Sequence, residues 1–378
     1  MKVAYVTPYS SSDVHAWSGS VYFIREALAK AGCEIIPVDS LKDSGRLPAK
    51  LKEKAIKHLL GKTFLSDRRP ALLEAYAQQV AERCKAVAPD IIFSPGTIPI
   101  ANLRTDTPVV FWTDATFAGI HNYYGLFSNL HDQTVRDGHH VDKNALRNAS
   151  LAIYTSDWAA GTATDHYGAD ADKVKVVPYG ANITASRSAA DIESRIADRD
   201  SDVCNLLFIG VEWERKGGPI ALETAQILND RGVKTHLHIV GVQPPDEMPD
   251  FVTLHGFVSK KTTEGAALFD RLLSDSHFLI VPSRAECFGL VFAEASSLGV
   301  PSLAASTGGV PSVVTPGING QLFPLEAGGD AYADFIAASM KEPGAYQALA
   351  KSSFEEFRSR LNWDSSGTVV VRLMQGLL

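Results

Sequence analysis

Two carboxylates in the second half of this sequence have the spacing and surroundings to do chemistry. Glu286 follows an apolar run at residues 278–281, whose composition predicts a short buried strand of a parallel sheet. Glu294 lies inside a stretch at 288–298 whose apolar residues recur at helical spacing, and Gly299 follows as a helix stop. Because open parallel sheets bind ligands at the carboxyl ends of their strands, Glu286 stands where a ligand is expected.

The start of the predicted helix suits a phosphate group. The amides of Phe288, Gly289 and Leu290 would point outward at the positive end of the helix dipole. A diphosphate bound there would place a ribose near Glu294 and, on its other side, a group whose hydroxyls donate to Glu286. A nucleotide-sugar has this layout. The alternative is that both glutamates are solvated and that the glycines only make turns.

An ordered series of glycine and proline steps accompanies the two glutamates. The steps are Phe288-Gly289, Gly299-Val300-Pro301, Gly308-Gly309 and Asn319-Gly320. Together with Glu286 and Glu294 they resemble the signature of the family-4 retaining glycosyltransferases, the group 1 glycosyl transferases of the GT-B superfamily. The resemblance implies a metal-independent hexosyltransferase. Such an enzyme moves a hexosyl group from a nucleotide diphosphate sugar to an acceptor hydroxyl with retention, in polysaccharide, lipopolysaccharide or glycolipid assembly.

The resemblance also implies roles for the charged residues. Glu286 is expected to be catalytic, holding the sugar hydroxyls and stabilising the reacting carbon, and Glu294 is expected to hold the ribose. Lys216-Gly217 matches a Lys-Gly pair of the family, so Lys216 is expected to contact the donor diphosphate. Its neighbour Arg215 either supplies a second cation for the diphosphate or is merely exposed.

Further donor and catalytic residues are expected at matching places. Phe257 and Val258 fall in the segment whose backbone recognises the base, and Gly19 lies in the loop that approaches the donor phosphates. Asp114 follows a predicted strand at 108–113, where the family often carries a His or an acidic residue near the reacting carbon, and His121 lies nearby. A plain helix N-cap is an equally good interpretation of Asp114.

Apolar runs alternate with helical patterns along the chain, which predicts an α/β protein. Its 378 residues fit two domains better than one. The resemblance implies two doubly wound, Rossmann-like domains facing across a cleft, with an acceptor-binding domain at 1–198 and a donor-binding domain at 199–363. Residues 181–203 are expected to be a polar linker, and a helix at 364–378 is expected to cross back onto the first domain.

The bulk composition excludes several classes of protein. A net charge of -7 argues against nucleic-acid binding. The four cysteines have no metal-type spacing, and no apolar run is long enough to span a membrane. We therefore expect a cytoplasmic protein that needs no metal or other cofactor, and whose partners are a nucleotide-sugar donor and a sugar or lipid-linked acceptor.

One segment is strongly basic. Residues 41–70 hold nine Lys or Arg and three Asp or Glu, and a helix is predicted within 46–69. Its apolar positions are Leu47, Leu51, Ala55, Leu59 and Leu60. Two interpretations stay open: a helix that lies on the anionic inner face of a membrane, or a helix with one face on the core and a solvated basic face.

Two other functions share parts of this pattern. A sugar-nucleotide epimerase or a phosphorylase on the same twin-domain architecture would also bind a diphosphate. A non-enzymatic sugar-binding protein that closes two lobes on its ligand is the less favoured alternative.

Overall fold

The computed structural model describes residues 1–14, 16–183, 187–199, 202–245, 247–260 and 262–378 and divides the chain into two compact units. Unit 1 comprises Met1–Tyr179 and Trp363–Leu378, and unit 2 comprises Gly180–Asn362. Each unit is a parallel sheet with helices, as predicted, because short runs rich in Val, Ile, Leu and Phe supply strands that are buried on both faces.

The strands form two six-stranded sheets. Unit 1 contains β1 (Lys2–Val6), β2 (Glu34–Val38), β3 (Ile91–Ser94), β4 (Val109–Thr113), β5 (Leu151–Tyr154) and β6 (Val174–Val176) in the order β2-β1-β3-β4-β5-β6. Unit 2 contains β7 (Cys204–Ile209), β8 (Thr235–Val240), β9 (Val252–Leu254), β10 (Phe278–Val281), β11 (Ser302–Ala305) and β12 (Gly320–Phe323) in the order β12-β11-β10-β7-β8-β9.

The α-helices connect these strands. Those before the second sheet are α1 (Ser20–Lys30), α2 (Arg46–Leu60), α3 (Pro70–Val87), α4 (Phe117–Ile120), α5 (Asp132–Asn148), α6 (Asp157–Tyr167) and α7 (Ala189–Ala197). Those that follow are α8 (Gly218–Asp230), α9 (Thr263–Asp275), α10 (Leu290–Ser296), α11 (Gly329–Lys341), α12 (Pro343–Ser359) and α13 (Trp363–Gln375). Within the described ranges, no helix is long and apolar enough to cross a bilayer.

Each sheet has one point at which the strand order reverses. In unit 1 this switch lies between β1 and β3, which pair in parallel with Val3 opposite Ile91. In unit 2 it lies between β7 and β10, with Leu207 opposite Leu279. The loops that leave the carboxyl ends of two such strands diverge to opposite faces of the sheet, and the crevice between them is the usual ligand site of the doubly wound fold.

Helix α13 returns to unit 1, as the sequence predicted. The Trp363 ring stacks on Phe23 at a centroid distance of 6.2 Å and meets the edge of Trp112 at 5.7 Å. Gly367 permits a close approach to α1, because a Cβ added there would lie 2.7 Å from the Ala27 carbonyl oxygen.

The boundary between the units lies after Tyr179, earlier than the boundary at residue 198 expected from the sequence. The reason is α7, a regular helix with a capping box at Ser188, which occupies the expected linker and packs in unit 2. A Cβ on Gly299 would lie 2.9 Å from Ile196. The buried Arg199 then donates to the carbonyls of Leu298 and Gly299, so this stretch is structural. Residues 184–186 and 200–201 of the expected linker lie outside the described residues.

The leucines of the basic helix α2 do not face the core. Its buried residues are Ala49 and Ile56. All five apolar positions singled out in the sequence are exposed instead: Leu47, Leu51, Ala55, Leu59 and Leu60. One face of α2 does pack on the core, through Ala49 and Ile56, and the lysines are solvated. The leucine positions expected to form that face do not form it.

Candidate functional site

A buried ion pair lies at the switch point of the second sheet. Lys216 belongs to the loop after β7, and Glu286 belongs to the loop after β10. The Lys216 Nζ donates to Glu286 Oε2, and the Ser283 hydroxyl lies 3.4 Å from the same oxygen. The two side chains are only 12% and 11% exposed, so water screens their attraction weakly. The structure thus brings together a cation and a carboxylate that the sequence placed at separate strand ends.

The backbone of the Lys216 loop depends on a glycine. Gly217 has a φ of 77°, in the left-handed region, and a Cβ there would lie 2.1 Å from the Pro282 carbonyl oxygen. The loop can therefore lie directly against the end of β10. This contact holds Lys216 within reach of Glu286.

Arg215 is mostly buried and is held by hydrogen bonds, and its contact with the donor diphosphate stays a prediction. Its guanidinium donates to Glu212 Oε1 at 3.0 Å and to the Ala285 carbonyl oxygen at 3.0 Å. Its own carbonyl accepts from the Arg284 amide at 2.7 Å. The hydrogen bond from Arg215 lowers the pKa of Glu212. Arg215 consequently joins the loops that carry Lys216 and Glu286.

The second glutamate, Glu294, is buried on α10 and pairs with Lys260. The Lys260 Nζ donates to Glu294 Oε1 at 2.6 Å, and it also lies 4.1 Å from the centre of the Phe269 ring. Lys260 was not among the residues expected at the site from the sequence. Its only signal was a position two residues after Val258, in the segment already expected to contact the base.

Helix α10 begins at Leu290, later than the start at residue 288 expected from the sequence. Gly289 precedes it with a φ of 86°, a left-handed conformation that ends the preceding loop, and the Phe288 side chain is buried. The amides of Gly289 and Leu290 stand at this helix start, where backbone N–H groups have no partner within the helix. The helix is short, and the phosphate role of these amides stays a prediction.

The expected base-binding segment follows β9. Phe257 is 78% exposed, and Val258 is half-buried. The Gly256 carbonyl accepts from the Gly241 amide at 2.8 Å, which ties this segment to the end of β8. These residues stay candidates for base contact.

Two predicted site residues belong to unit 1. Asp114 follows β4 directly, but it is not the N-cap of α4. Thr116 is the cap, and its hydroxyl accepts from the Gly119 amide at 3.1 Å, so the helix-cap interpretation of Asp114 is wrong. Gly19 is the left-handed N-cap of α1, with a φ of 93°. Among the described residues, no group of three or more His, Cys, Asp or Glu side chains has a metal-binding arrangement.

The arrangement in unit 2 favours binding of an anion that carries hydroxyl groups. Lys216 and the α10 start offer positive potential, and Glu286 offers acceptor oxygens for hydroxyls close by. A nucleotide diphosphate sugar combines both groups. The geometry alone also fits any other phosphorylated sugar.

Family models match both units. A model described as Glycosyltransferase Family 4 matches residues 19–185, and a model described as Glycosyl transferases group 1 matches residues 204–342. A D-inositol 3-phosphate glycosyltransferase from Actinosynnema mirum is 28% identical over 237 residues, which are 59% of this chain and 56% of that protein. The chain therefore spans about half the length of this curated relative.

Solved structures share the fold over nearly all of the chain. A sucrose-phosphate synthase from Thermosynechococcus elongatus is 18% identical and covers 100% of this chain and 98% of its own, with a TM-score of 0.68. Anabaena HepE, solved in complex with UDP-glucose, is 18% identical and covers 100% of both chains, with a TM-score of 0.62. The two sheets, their switch points and both family models lead to one conclusion: the chain belongs to the family 4, group 1 glycosyltransferases and has the GT-B fold.

Proposed function

We propose that this chain is a retaining glycosyltransferase that moves a hexosyl group from a nucleotide diphosphate sugar to an acceptor hydroxyl. The buried Lys216–Glu286 pair at the unit 2 switch point carries this proposal. A cation for the leaving phosphate and a carboxylate for the sugar hydroxyls are the two groups that this reaction needs close together. Relatives named as glycosyltransferases support a transferase over the epimerase alternative.

The proposed chemistry needs positive charge where the leaving group departs. The bond between the anomeric carbon and the β-phosphate oxygen breaks, and the acceptor oxygen bonds to that carbon on the same face. The acceptor proton passes to the departing phosphate. Lys216 and the amides of Gly289 and Leu290 stabilise the negative charge that develops there, so the reaction proceeds without a metal ion. Glu286 stabilises the positive charge on the sugar ring, as carboxylates do in glycoside chemistry.

The donor is proposed to be a nucleotide diphosphate hexose held along unit 2. Glu294 accepts hydrogen bonds from the ribose, and the hydrogen bond from Lys260 orients its carboxylate. The backbone at 256–258 contacts the base. HepE was solved with UDP-glucose, which supports a donor of this class. Asp114, at the end of β4 in unit 1, is proposed as the second catalytic residue, and the Gly19 loop is proposed to approach the phosphates.

We further propose that the enzyme is cytoplasmic and lies on an anionic membrane through α2, in polysaccharide, lipopolysaccharide or glycolipid assembly. Leu47, Leu51 and Leu59 are 79%, 69% and 76% exposed, and lysines lie beside them along the helix. Exposed leucines bordered by lysines match the apolar boundary and the anionic headgroups of a bilayer. This contact would bring the enzyme to a lipid-linked acceptor.

Incubation with UDP-, GDP- and ADP-linked hexoses tests the reaction. We expect slow release of one nucleotide diphosphate, accelerated by an acceptor. Glu286→Gln is expected to lower turnover about 100-fold or more while nucleotide binding survives, since it removes one electrostatic stabiliser. Glu294→Ala is expected to weaken nucleotide binding about tenfold, the typical value of a hydrogen bond to a charged group.

Glu326→Ala, at an exposed position of unit 2, is the matched control for both substitutions. Conversion of the donor sugar without nucleotide release would identify an epimerase. Unchanged kinetics in both glutamate variants would refute the site assignment.

A further inference from the structure

Unit 1 contains a cavity of about 680 Å³ at its own switch point. Its walls come from the loops after β1, β2 and β3 and from the start of α2, and they include Thr7, Leu41, Ser94 and Pro95. Its volume lies within the range of small-molecule pockets and admits a ligand of one or two sugar rings. None of the unit 2 residues described above takes part in it.

The charge of the cavity wall is positive. Lys42, Arg46, Lys50 and Arg69 line it, against the carboxylates Asp43 and Asp67. Asp43 pairs with Arg69, and Asp67 pairs with Arg68, which is not among the lining residues. Among the ion pairs of the described residues, those of this region involve Lys62, Arg68 and Arg69, and none involves Arg46 or Lys50. Lying one helical turn apart on α2, these two cations can bind the same anion.

The wall also carries aromatic side chains. Trp17 and Tyr9 lie there, with the indole Nε1 donating to the Tyr9 hydroxyl at 3.4 Å. Gly96 leaves room for the indole, because a Cβ at that position would lie 2.4 Å from the ring. Trp17 is nevertheless 41% exposed. A rigid, partly exposed indole offers a flat surface to the C–H face of a sugar ring, at a low cost in side-chain entropy.

The backbone that carries the indole is strained. Trp17 and Ser18 have φ values of 50° and 56°, in the left-handed region that non-glycine residues rarely adopt. Such residues cost about 1 to 3 kcal/mol each and persist where the surrounding structure enforces them, which is often at a binding site.

From these features we propose that the unit 1 cavity binds the acceptor and that the acceptor is a hydroxylated ring carrying a phosphate group. Arg46 and Lys50 bind the phosphate, because a dianion is best matched by a guanidinium fork together with a second cation. Trp17 supports the ring. That the bound ring is an acceptor rests on the proposed function. Binding of the phosphorylated ring to the cavity does not depend on glycosyl transfer.

Direct binding tests the inference without a donor. Calorimetric titrations use inorganic phosphate, glucose and glucose 6-phosphate as probes. We expect glucose 6-phosphate to bind at least tenfold more tightly than glucose, with inorganic phosphate competing. Arg46→Gln and Lys50→Gln should each weaken glucose 6-phosphate binding about tenfold, and Trp17→Ala should weaken it as well. Lys143→Gln, at an exposed lysine of α5 outside the cavity, is the control.

Two comparisons separate the possible results. Equal binding of glucose and glucose 6-phosphate, or equal effects of Arg46→Gln and Lys143→Gln, would overturn the proposal. Glycerol 3-phosphate and short-chain dihexanoylphosphatidylglycerol distinguish a free phosphate compound from a lipid headgroup. Whichever of the two binds more tightly, its binding supports recognition of a phosphate group by the cavity. Lys216→Met should slow nucleotide diphosphate release and leave glucose 6-phosphate binding intact, so failure of the proposed transfer is seen separately from failure of the cavity.

Discussion

Lys216 and Glu286 form an ion pair across the switch point between β7 and β10, although they are 70 residues apart in the chain. Each belongs to a loop that leaves the carboxyl end of its strand, and Gly217 holds the two loops in contact through Pro282. The order of the strands in the sheet therefore brings these two residues together. Replacing either residue by a neutral one leaves the other charge buried without its partner. This costs more free energy of folding than the loss of an exposed ion pair.

Lys216→Met keeps the length of the side chain and removes its charge. We expect nucleotide diphosphate release to slow about 100-fold to 1,000-fold, the usual effect of removing one stabiliser of a leaving-group charge. Because Lys216 and Glu286 interact directly, adding Glu286→Gln should cost less than the product of the two single effects. Steady-state kinetics of the four proteins measure this coupling. Lys351→Met, at an exposed lysine of unit 2, is the control, and a Lys216→Met enzyme with parental turnover would contradict the assignment.

Gly217→Ala should destabilise unit 2 far more than Gly232→Ala. Both glycines have a left-handed φ, 77° and 81°, so both substitutions incur the conformational cost of about 1 kcal/mol. Only at position 217 does the new Cβ collide with another backbone atom, and nothing lies within 4 Å at position 232. We expect Gly217→Ala to cost at least about 3 kcal/mol in free energy of unfolding. Denaturant titration of both variants checks this, and equal losses would show that the Pro282 contact is not tight.

His238 makes unit 2 sensitive to acid. Burial, together with the neighbouring imidazoles of His236 and His255, lowers the pKa of His238 to about 4, from 6.5 for an exposed imidazole. Between these two pH values the unfolded chain binds a proton that the folded chain does not, so the free energy of unfolding falls as the pH falls from 6.5 to about 4. Because the ring is partly exposed, we expect a loss of about 1 to 2 kcal/mol from this group.

His238→Leu should flatten that part of the stability profile. Denaturant midpoints between pH 7 and pH 4 measure the difference from the parent protein. His58→Gln, at an exposed position of α2, serves as the control for removing a histidine. Parallel profiles for His238→Leu and the parent would mean that His238 is protonated equally in the folded and unfolded chains.

The α2 face should bind anionic vesicles at low salt. The double substitution Leu47→Ser and Leu51→Ser is expected to weaken binding to phosphatidylglycerol vesicles about tenfold or more. The reason is that two leucine side chains are no longer transferred from water into the bilayer on binding. Raising the salt concentration should weaken binding by the parent protein as well, since lysines near the surface contribute up to about 1 kcal/mol each. Leu126→Ser removes an exposed leucine elsewhere in unit 1 and is the control. No vesicle binding by the parent at low salt would refute the membrane contact.

The two sheets could be predicted from the sequence because buried parallel strands are continuous apolar runs with clear ends. Lys216 and Glu286 could be identified from their positions directly after such strands, and the family resemblance supplied their roles. The pairing of Glu294 with Lys260 could not be predicted, because it joins α10 to the loop after β9 across the fold. The sequence around each of these two residues does not indicate that they lie close together.

Local rules failed where tertiary packing decided the outcome. Polar composition predicted a linker around 181–203, but Ile192 and Ile196 are buried against unit 2 and make α7 part of its core. The leucines of α2 have the spacing of a core-facing helix, yet Ala49 and Ile56 are the residues that pack. Helical periodicity identifies an apolar face without saying whether protein, water or a membrane lies against it.

The return of α13 to unit 1 has a consequence for how this chain is made. Unit 2 is one continuous segment and has all of its residues as soon as synthesis passes Asn362. Unit 1 begins first, yet the surfaces of Phe23, Trp112 and Tyr179 that Trp363 covers stay uncovered until residues 363–378 emerge from the ribosome. Unit 1 is therefore begun before unit 2 and completed after it, and its aromatic surface is available to chaperones until α13 has been made.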